Sequence, residues 1–281
     1  MISKVTLGVM GFQLAAGILI PLLLLFFMKK KTGRKISIFL MGAGTWFVFA
    51  AIIEAIFHSI ILTGTPAGPV ITGNIFLYAL YGGFMAALFE ESGRYIVFKT
   101  LLKREQLDDR NALMFGAGHG GFECFIVLVS GAANLLFYSL AINNGSMLEG
   151  VEGLDAATLK ELEDAIAGLA DTPAYHYVLG VVERISAIIA HIGMSIMVWF
   201  AAKEKVKKIA LLGMAYLCHF LLDFISVLLQ RVLPILAVEA LILAMALGIG
   251  YLGLMTWRKY STPPEEPEME GPKIGQWVYP D

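Results

Sequence analysis

Long apolar segments constrain this chain more than any other feature of its sequence. Seven of them span about residues 5–28, 36–62, 70–102, 112–142, 174–202, 209–230 and 234–257. An α-helix needs about 20 apolar residues to cross the roughly 30 Å of hydrocarbon in a bilayer. Apolar residues make up 58% of the 281 positions and charged residues only 16%, which excludes an ordinary soluble domain. The sequence therefore predicts an all-α, polytopic transmembrane bundle of about seven helices over residues 1–260.

The basic residues predict how this bundle is oriented. The loops 29–35, 103–110, 203–208 and 258–259 carry fourteen Lys and Arg residues, and the opposite set of loops carries three. Cytoplasmic loops are the basic ones in membrane proteins. We therefore expect the N-terminus outside and the C-terminus in the cytoplasm, in the plasma membrane of a prokaryote. Because the basic clusters are membrane anchors, membrane lipids are the expected partners and nucleic acid is not.

Two segments outside the apolar runs have distinct compositions. The extracytoplasmic loop 143–173 contains apolar residues at helical spacing, which indicates an amphipathic helix on the membrane surface or a lid over an outward opening. The residues 261–281 are rich in Pro and Glu, which predicts a disordered cytoplasmic tail.

Ionisable residues are concentrated in the middle apolar segments. They are Glu90, Glu91, Arg94, His119, Glu123, Glu183, Arg184, His191, His219 and Asp223. Such groups destabilise a membrane helix strongly unless they are paired or hydrated. At about 1.5 Å per helical residue, most of them lie about 11–22 Å from the predicted cytoplasmic ends, in one layer near mid-membrane. Glu183 is predicted nearer the outer face, outside this layer.

Spacing and charge both favour a functional cluster. Three pairs are four residues apart and so share a helix face: Glu90/Arg94, His119/Glu123 and His219/Asp223. The glycines 116, 118, 120 and 121 around His119 allow close helix approach or room for substrate. With neutral histidines, five carboxylates outnumber two arginines by three. Protonated carboxylates, charged histidines or a bound cation must balance this excess. A single pair could merely hold two helices together, whereas the whole set at one depth indicates a site.

Three motifs follow one another on the polar helices, with one helix between the second and the third. They are Glu90-Glu91-x-x-Arg94, Phe115-x-x-x-His119 and His219-x-x-x-Asp223. They resemble the three signatures of the CAAX-protease and bacteriocin-processing superfamily, and they are similar to the YhfC family of membrane peptidases. The resemblance covers about residues 90–223 and implies a catalytic core at about 70–230. Prenyl-protein proteases space the first motif as EExxxR, so the shorter spacing here argues against prenylated substrates.

The resemblance implies an intramembrane protease that cleaves a membrane-embedded or lipidated peptide. Glu90 would be the general base, with His119 holding the attacking water. His219 and Asp223 would polarise the carbonyl and stabilise its oxyanion. Glu91 would belong to the same catalytic group, with Arg94 and Glu123 in support.

His191 lies outside the three motifs. It either satisfies a neighbouring carboxylate or joins Glu90, His119 and His219 around a tetrahedral Zn²⁺. Such an ion would reduce the negative excess, but the chain has no HExxH motif. We therefore expect a glutamic-type mechanism without a cofactor, in which His191 is a supporting residue. The alternative is a zinc-dependent protease in which His191 is a metal ligand.

Two other classes of function remain open. A proton-coupled transporter also needs a Glu/His/Asp relay near mid-membrane, although paired interrupted helices in two related halves are not evident. A non-catalytic membrane scaffold is the other class. We interpret Glu54 and His58 as structural, and His176 and Glu239 as ordinary interfacial residues.

Overall fold

The computed structural model describes residues 1–148, 155–203 and 208–262 of the protein. Over these ranges all regular secondary structure is helical, as the apolar segments predict. The α-helices are α1 (Lys4–Thr32), α2 (Ile36–Thr63), α3 (Ala67–Thr72), α4 (Ile75–Lys99), α5 (Arg110–Asn144), α6 (Ala156–Asp171), α7 (Tyr175–Ala202), α8 (Lys208–Leu229) and α9 (Ile235–Tyr260). Within α2, Phe47–Glu54 and Ser59–Thr63 adopt π-helical geometry. Short 3₁₀ turns occur at Lys103–Leu107 and Ser146–Leu148.

Within these ranges, six helices are long and apolar enough to cross a membrane, where the sequence predicted about seven. They are α1, α2, α5, α7, α8 and α9. The predicted third segment divides into α3 and the 25-residue α4, which carries Glu90, Glu91 and Arg94. These three residues are at most 6% exposed, so they meet protein rather than lipid. Because of these charges, the composition of α4 is too polar for a membrane-spanning helix. The neighbouring helices shield the charged side chains from lipid.

Helix α7 lies at the centre of the bundle. In its most apolar window 78% of the residues are buried, against 17–33% in the other five spanning helices. It packs against α1, α4, α5, α8 and α9. The surrounding helices expose large apolar side chains such as Leu22, Phe26 and Leu247 to the lipid. The central position of α7 brings one face of each neighbouring helix to the residues that it carries.

Glycines set the separation of several helix pairs. A Cβ at Gly83 of α4 would lie 2.8 Å from the carbonyl oxygen of Phe220 of α8. A Cβ at Gly193 of α7 would lie 2.6 Å from the carbonyl oxygen of Ile249 of α9. Small residues let the backbones of membrane helices approach closely. These contacts hold α4 close to α8 and α7 close to α9.

Another buried carboxylate joins three helix ends on the side of the basic loops. Asp109, 3% exposed, accepts hydrogen bonds from Trp199 Nε1 at 2.9 Å and Lys203 Nζ at 2.6 Å. It also accepts from the backbone N–H of Thr262 at 3.1 Å. We call Asp109, Trp199 and Lys203 the inner-end cluster. It connects the start of α5 with the ends of α7 and α9.

The two segments with distinct compositions are only partly described. The predicted amphipathic helix within the loop 143–173 is α6. Residues 149–154 of that loop and residues 263–281 of the tail lie outside the described residues. The location of α6 on the membrane surface, the disorder of the tail and the outside location of the N-terminus stay predictions.

Candidate metal centre and active site

A buried arginine organises the polar layer. Arg94 of α4 is 0% exposed, and its guanidinium donates to Glu90 Oε2 at 3.3 Å and to His191 Nδ1 at 2.6 Å. It also donates to Glu91 Oε1. Because Arg94 follows Glu90 and Glu91 by one helical turn, all three side chains lie on the face of α4 that meets α7 and α8. The arginine thus fixes two carboxylates and one imidazole at once.

Three buried side chains from three helices converge beside this arginine. One ligand atom from each of Glu90 (α4), His119 (α5) and His191 (α7) lies within 4.8 Å of the other two. His119 Nε2 donates to Glu90 Oε2 at 2.8 Å, and His191 Nδ1 lies 3.9 Å from the same oxygen. A carboxylate with two imidazoles is a common donor set of zinc enzymes. We call Glu90, His119 and His191 the ligand triad.

Several observations show that the ligand triad fits a divalent cation. His119 Nδ1 is buried and has no hydrogen-bond partner among the described residues. Oε2 of the neighbouring Glu91 is also buried and also lacks a hydrogen-bond partner among these residues. Buried polar atoms are normally satisfied, and a site that binds an ion is one explanation when they are not. A divalent cation would also offset most of the negative excess that the sequence shows.

His219, the fourth predicted zinc ligand, lies outside this triad. Its Nδ1 donates to Glu91 Oε1 at 2.7 Å, which turns Nε2 towards Asp223 Oδ2 at 3.4 Å. The distance from His219 Nε2 to Glu90 Oε1 is 4.0 Å. The side chain of Asp223 is 37% exposed, whereas that of His219 is 4% exposed. His219 and Asp223 therefore form a pair beside the ligand triad, with the carboxylate as its open end.

A chain of ion pairs leads from His191 towards the predicted outer face. His191 Nε2 is paired with Glu123 Oε2, Glu123 Oε1 accepts from Arg184, and Arg184 donates in turn to Glu183. Glu183 was predicted to lie outside the polar layer, but Arg184 joins it to the network. The sequence carries a signal for this connection, because Arg184 and His191 are seven residues apart and so share a face of α7.

The network borders an internal cavity of about 280 Å³, which we call the site cavity. Its lining includes Glu90, His191, His219 and Asp223. It extends along α8 to Ser226, Val227 and Gln230, away from the basic loops. The sequence places Glu90, Glu91, His119, His219 and Asp223 in one polar layer. The structure places Glu90, His219 and Asp223 on the wall of the site cavity, while His119 and Glu91 lie behind them, each hydrogen-bonded to a wall residue.

The glycines near His119 serve close helix approach. A Cβ at Gly116 would lie 2.9 Å from Ile192 Cα, and a Cβ at Gly120 would lie 3.1 Å from His191 Cβ. A Cβ at Gly118 would overlap the backbone of Phe39. No room for substrate remains at these three positions, because α2 and α7 fill it. Gly116 and Gly120 bring α5 close enough to α7 for His119 and His191 to share one carboxylate.

The pair that we interpret as structural forms a separate cluster. Glu54 Oε1 accepts from His58 Nε2 at 3.1 Å, and His58 Nδ1 lies 2.9 Å from the hydroxyl of Tyr81. None of the three lines the site cavity. The lining of that cavity also includes Gln230, which the sequence did not single out because an amide near a helix end carries no distinctive pattern.

Fold and site together define a polytopic helical membrane protein with a buried group of metal-ligand type beside a cavity. The chain belongs to the YhfC intramembrane metalloprotease family, whose model matches residues 16–243. It is 33% identical over 232 residues to a protein of Bacillus subtilis (strain 168) described as an uncharacterized membrane protein YhfC. That match covers 82% of this chain and 88% of the relative. No solved structure matches the chain.

These findings confirm the predicted family and the integral membrane location, and they correct one prediction. The expected mechanism without a cofactor is wrong, because the family is one of metalloproteases and the ligand triad is a group that can hold a metal. The prediction was wrong because the first motif suggested a glutamate acting without a metal, while the additional candidate ligand His191 lies outside all three motifs.

Proposed function

We propose that this protein is a metal-dependent intramembrane peptidase that hydrolyses a peptide bond at the site cavity. The observation that carries the proposal is the convergence of Glu90, His119 and His191 from three helices, with ligand atoms within 4.8 Å of one another. The family supports the reaction class. The substrate we propose is a membrane-embedded or lipidated peptide, because the site lies among helices that can span a bilayer.

The ligand triad would hold the metal. A bound Zn²⁺ supplies Lewis-acid chemistry, since it polarises a peptide carbonyl and makes water a better nucleophile near neutral pH. Glu123 Oε2 is paired with His191 Nε2, which leaves Nδ1 as the ring nitrogen that carries the lone pair. Carboxylates that orient metal-binding histidines in this way are usual in zinc sites. In the structure that lone pair accepts a hydrogen bond from Arg94, so His191 Nδ1 would exchange this hydrogen bond for the metal on binding it.

His219 and Asp223 would act on the substrate. Glu91 accepts from His219 Nδ1, so when the ring carries its second proton Nε2 can donate a hydrogen bond to the substrate carbonyl oxygen and stabilise its developing negative charge. The Asp223 carboxylate is the open group of this pair, and at 3.4 Å from His219 Nε2 it can exchange a proton with it. Asp223 can also deliver a proton to the leaving amine, which hydrolysis requires.

The glutamate-activated water expected from the resemblance is a second assignment for Glu90. It is favoured by the position of Glu90 on the wall of the site cavity, with Oε1 4.0 Å from His219 Nε2. The first assignment is that of a metal ligand, through the oxygen shared with His119. Under the first assignment, Glu90→Gln removes a metal ligand, and under the second it removes a general base.

The test is metal content measured together with peptide cleavage. Purified protein in detergent is analysed for bound zinc and incubated with a library of fluorogenic apolar peptides before and after chelation. We expect cleavage that a chelator removes and that stoichiometric Zn²⁺ restores. If Glu90 is a ligand, Glu90→Gln lowers both bound zinc and cleavage, whereas a Glu90 that is only the base would leave the zinc content intact.

The same experiment separates the competing classes. Full cleavage by metal-free protein would contradict the proposal. A protein that cleaves no peptide, but whose proton flux in liposomes changes with Glu90→Gln, would be a proton-coupled transporter. If the protein shows neither peptide cleavage nor proton flux, the non-catalytic scaffold is the class that remains.

A further inference from the structure

A second cavity of about 610 Å³ lies beside the site cavity, at the ends of α7 and α9 away from the basic loops. We call it the outer cavity. It shares Glu183 and Gln230 with the wall of the site cavity, so the two spaces adjoin. His176 and Glu239, which the sequence suggested were ordinary interfacial residues, both line it. A peptide with one end in the outer cavity could therefore reach the ligand triad.

Glu239 is the unusual residue of this cavity. It lies on α9, about one helical turn from the end of that helix, and only 5% of it is exposed. Its Oε2 is buried and has no hydrogen-bond partner among the described residues. A buried carboxylate that lacks a partner is costly, and binding a positive group is one way to satisfy it.

The charges around Glu239 indicate what kind of group would pair with it. Within the described chain, no Lys or Arg lines the outer cavity, while two carboxylates do. Glu183 already accepts from Arg184, which leaves Glu239 as the carboxylate without a basic partner. The cavity therefore offers one negative charge to a ligand that carries one positive charge.

An organic cation fits this cavity better than a bare metal ion. The ligand triad is the only group of three metal-ligating side chains that comes together in the described part of the chain, so the outer cavity does not supply such a set. Tyr175 contributes an aromatic ring to the wall, next to the ring of His176 at 4.6 Å. Ammonium and guanidinium groups bind well beside a carboxylate and an aromatic ring.

We propose that the outer cavity is a substrate subsite, in which Glu239 pairs with a positively charged group of the peptide, a lysine or arginine side chain or an amino terminus. This inference rests on the proposed peptidase function and deepens it. Binding of the charged group at the outer cavity would place a neighbouring, apolar part of the peptide in the site cavity. The protein would thus select peptides with a basic residue at a fixed distance from the scissile bond.

The test uses pairs of quenched-fluorescent apolar peptides that differ by one lysine or one norleucine, moved through the sequence. For the wild-type protein we expect one lysine position at which kcat/KM exceeds that of the norleucine peptide by roughly ten-fold or more, since a close charge pair away from water has at least that effect. In Glu239→Gln this ratio should fall to about one. Glu163→Gln is the matched control, because it removes an exposed carboxylate of α6 that does not line the outer cavity. In this variant the ratio of the two kcat/KM values should equal that of the wild type.

A second measurement does not depend on any variant. Butylammonium, which mimics the lysine side chain, should raise KM for the lysine peptide and leave KM for the norleucine peptide unchanged. The subsite is refuted if no lysine position is preferred, or if the preference persists in Glu239→Gln. If the wild type cleaves no peptide, the peptidase proposal fails and fluorescence anisotropy decides on the subsite. Tighter binding of the lysine peptide to wild type than to Glu239→Gln would support it, and equal binding would overturn it.

Discussion

The inner-end cluster and the ligand triad are two buried polar regions of the same bundle, and they differ in how their charges are matched. Asp109 has a cation, Lys203, and two N–H donors directed at one carboxylate. Glu90 of the ligand triad shares one cation, Arg94, with Glu91, and both are linked to a network in which carboxylates outnumber arginines. Buried polar atoms without a partner occur beside Glu90, whereas both carboxylate oxygens of Asp109 have partners.

This difference separates a structural cluster from a functional one. A matched buried carboxylate fixes the ends of helices and needs no ligand. An excess of carboxylates beside histidines and a cavity is stable only with protons or a cation, and it is therefore suited to binding and catalysis. Burial of charge alone would not have distinguished the two regions.

The largest effect is expected at the ligand triad. His119→Ala removes a buried ligand, so kcat/KM for peptide cleavage should fall by about 10²-fold or more. The rate is measured per folded molecule, because deleting the fully buried His119, which donates to Glu90, also lowers the melting temperature. A variant that melts far below wild type and cleaves normally per folded molecule would place His119 with the structural residues.

The opposite result is expected at the inner-end cluster. Asp109→Asn leaves Lys203, 13% exposed, without its negative partner, and breaking such a buried pair costs about 3 kcal/mol of unfolding free energy. Thermal unfolding in detergent measures it. Glu105→Gln is the control, because its pair with Lys35 is largely exposed and is expected to contribute about 0–1 kcal/mol. Equal destabilisation by both variants would refute the structural role of Asp109.

A smaller effect should follow from loosening a histidine of the ligand triad. Glu123→Gln replaces the carboxylate that is paired with His191 Nε2, and zinc affinity should weaken by about 10–100-fold. Competition with a chromogenic chelator measures this affinity. Glu183→Gln is the matched comparison, because Glu183 accepts from the same Arg184 but not from His191. If both variants weaken zinc binding equally, Glu123 does not position the ligand.

The smallest effect concerns pH and the loop before α5. Hydrogen bonds from Arg110 lower the pKa of Asp108 below its ordinary value, and Arg34 adds to the effect. A lowered folded-state pKa contributes stability that is present above the pKa of the unfolded chain and is lost as the pH falls through the folded-state value. Asp108→Asn should therefore lower stability at pH 7 by about 1 kcal/mol at most, because this site is only partly buried. The difference from wild type should disappear in strong acid, and one that persisted there would exclude the ion pairs as its cause.

The sequence predicted the class of fold because the bilayer imposes a length and a composition on every spanning helix. It predicted the layer of polar residues for the same reason, since Glu90, His119 and His219 are conspicuous within apolar runs. It was less accurate for α4, because the charged residues of this helix make it too polar to count as a membrane-spanning helix by composition. Whether a charge faces lipid or protein depends on the neighbouring helices, and one segment's sequence does not contain that information.

By itself, then, the sequence determined an all-helical membrane bundle, the family and the set of ionisable residues from which the site is built. Only the tertiary structure decided which of them meet: His191 joins Glu90 and His119, whereas His219 turns to Glu91 and Asp223. It also brought Glu183 and Glu239 to the wall of one cavity. The physical reason is that spacing along a helix fixes which residues share a face, while the rotation of each helix against its neighbours is set by close packing at Gly83, Gly116 and Gly120.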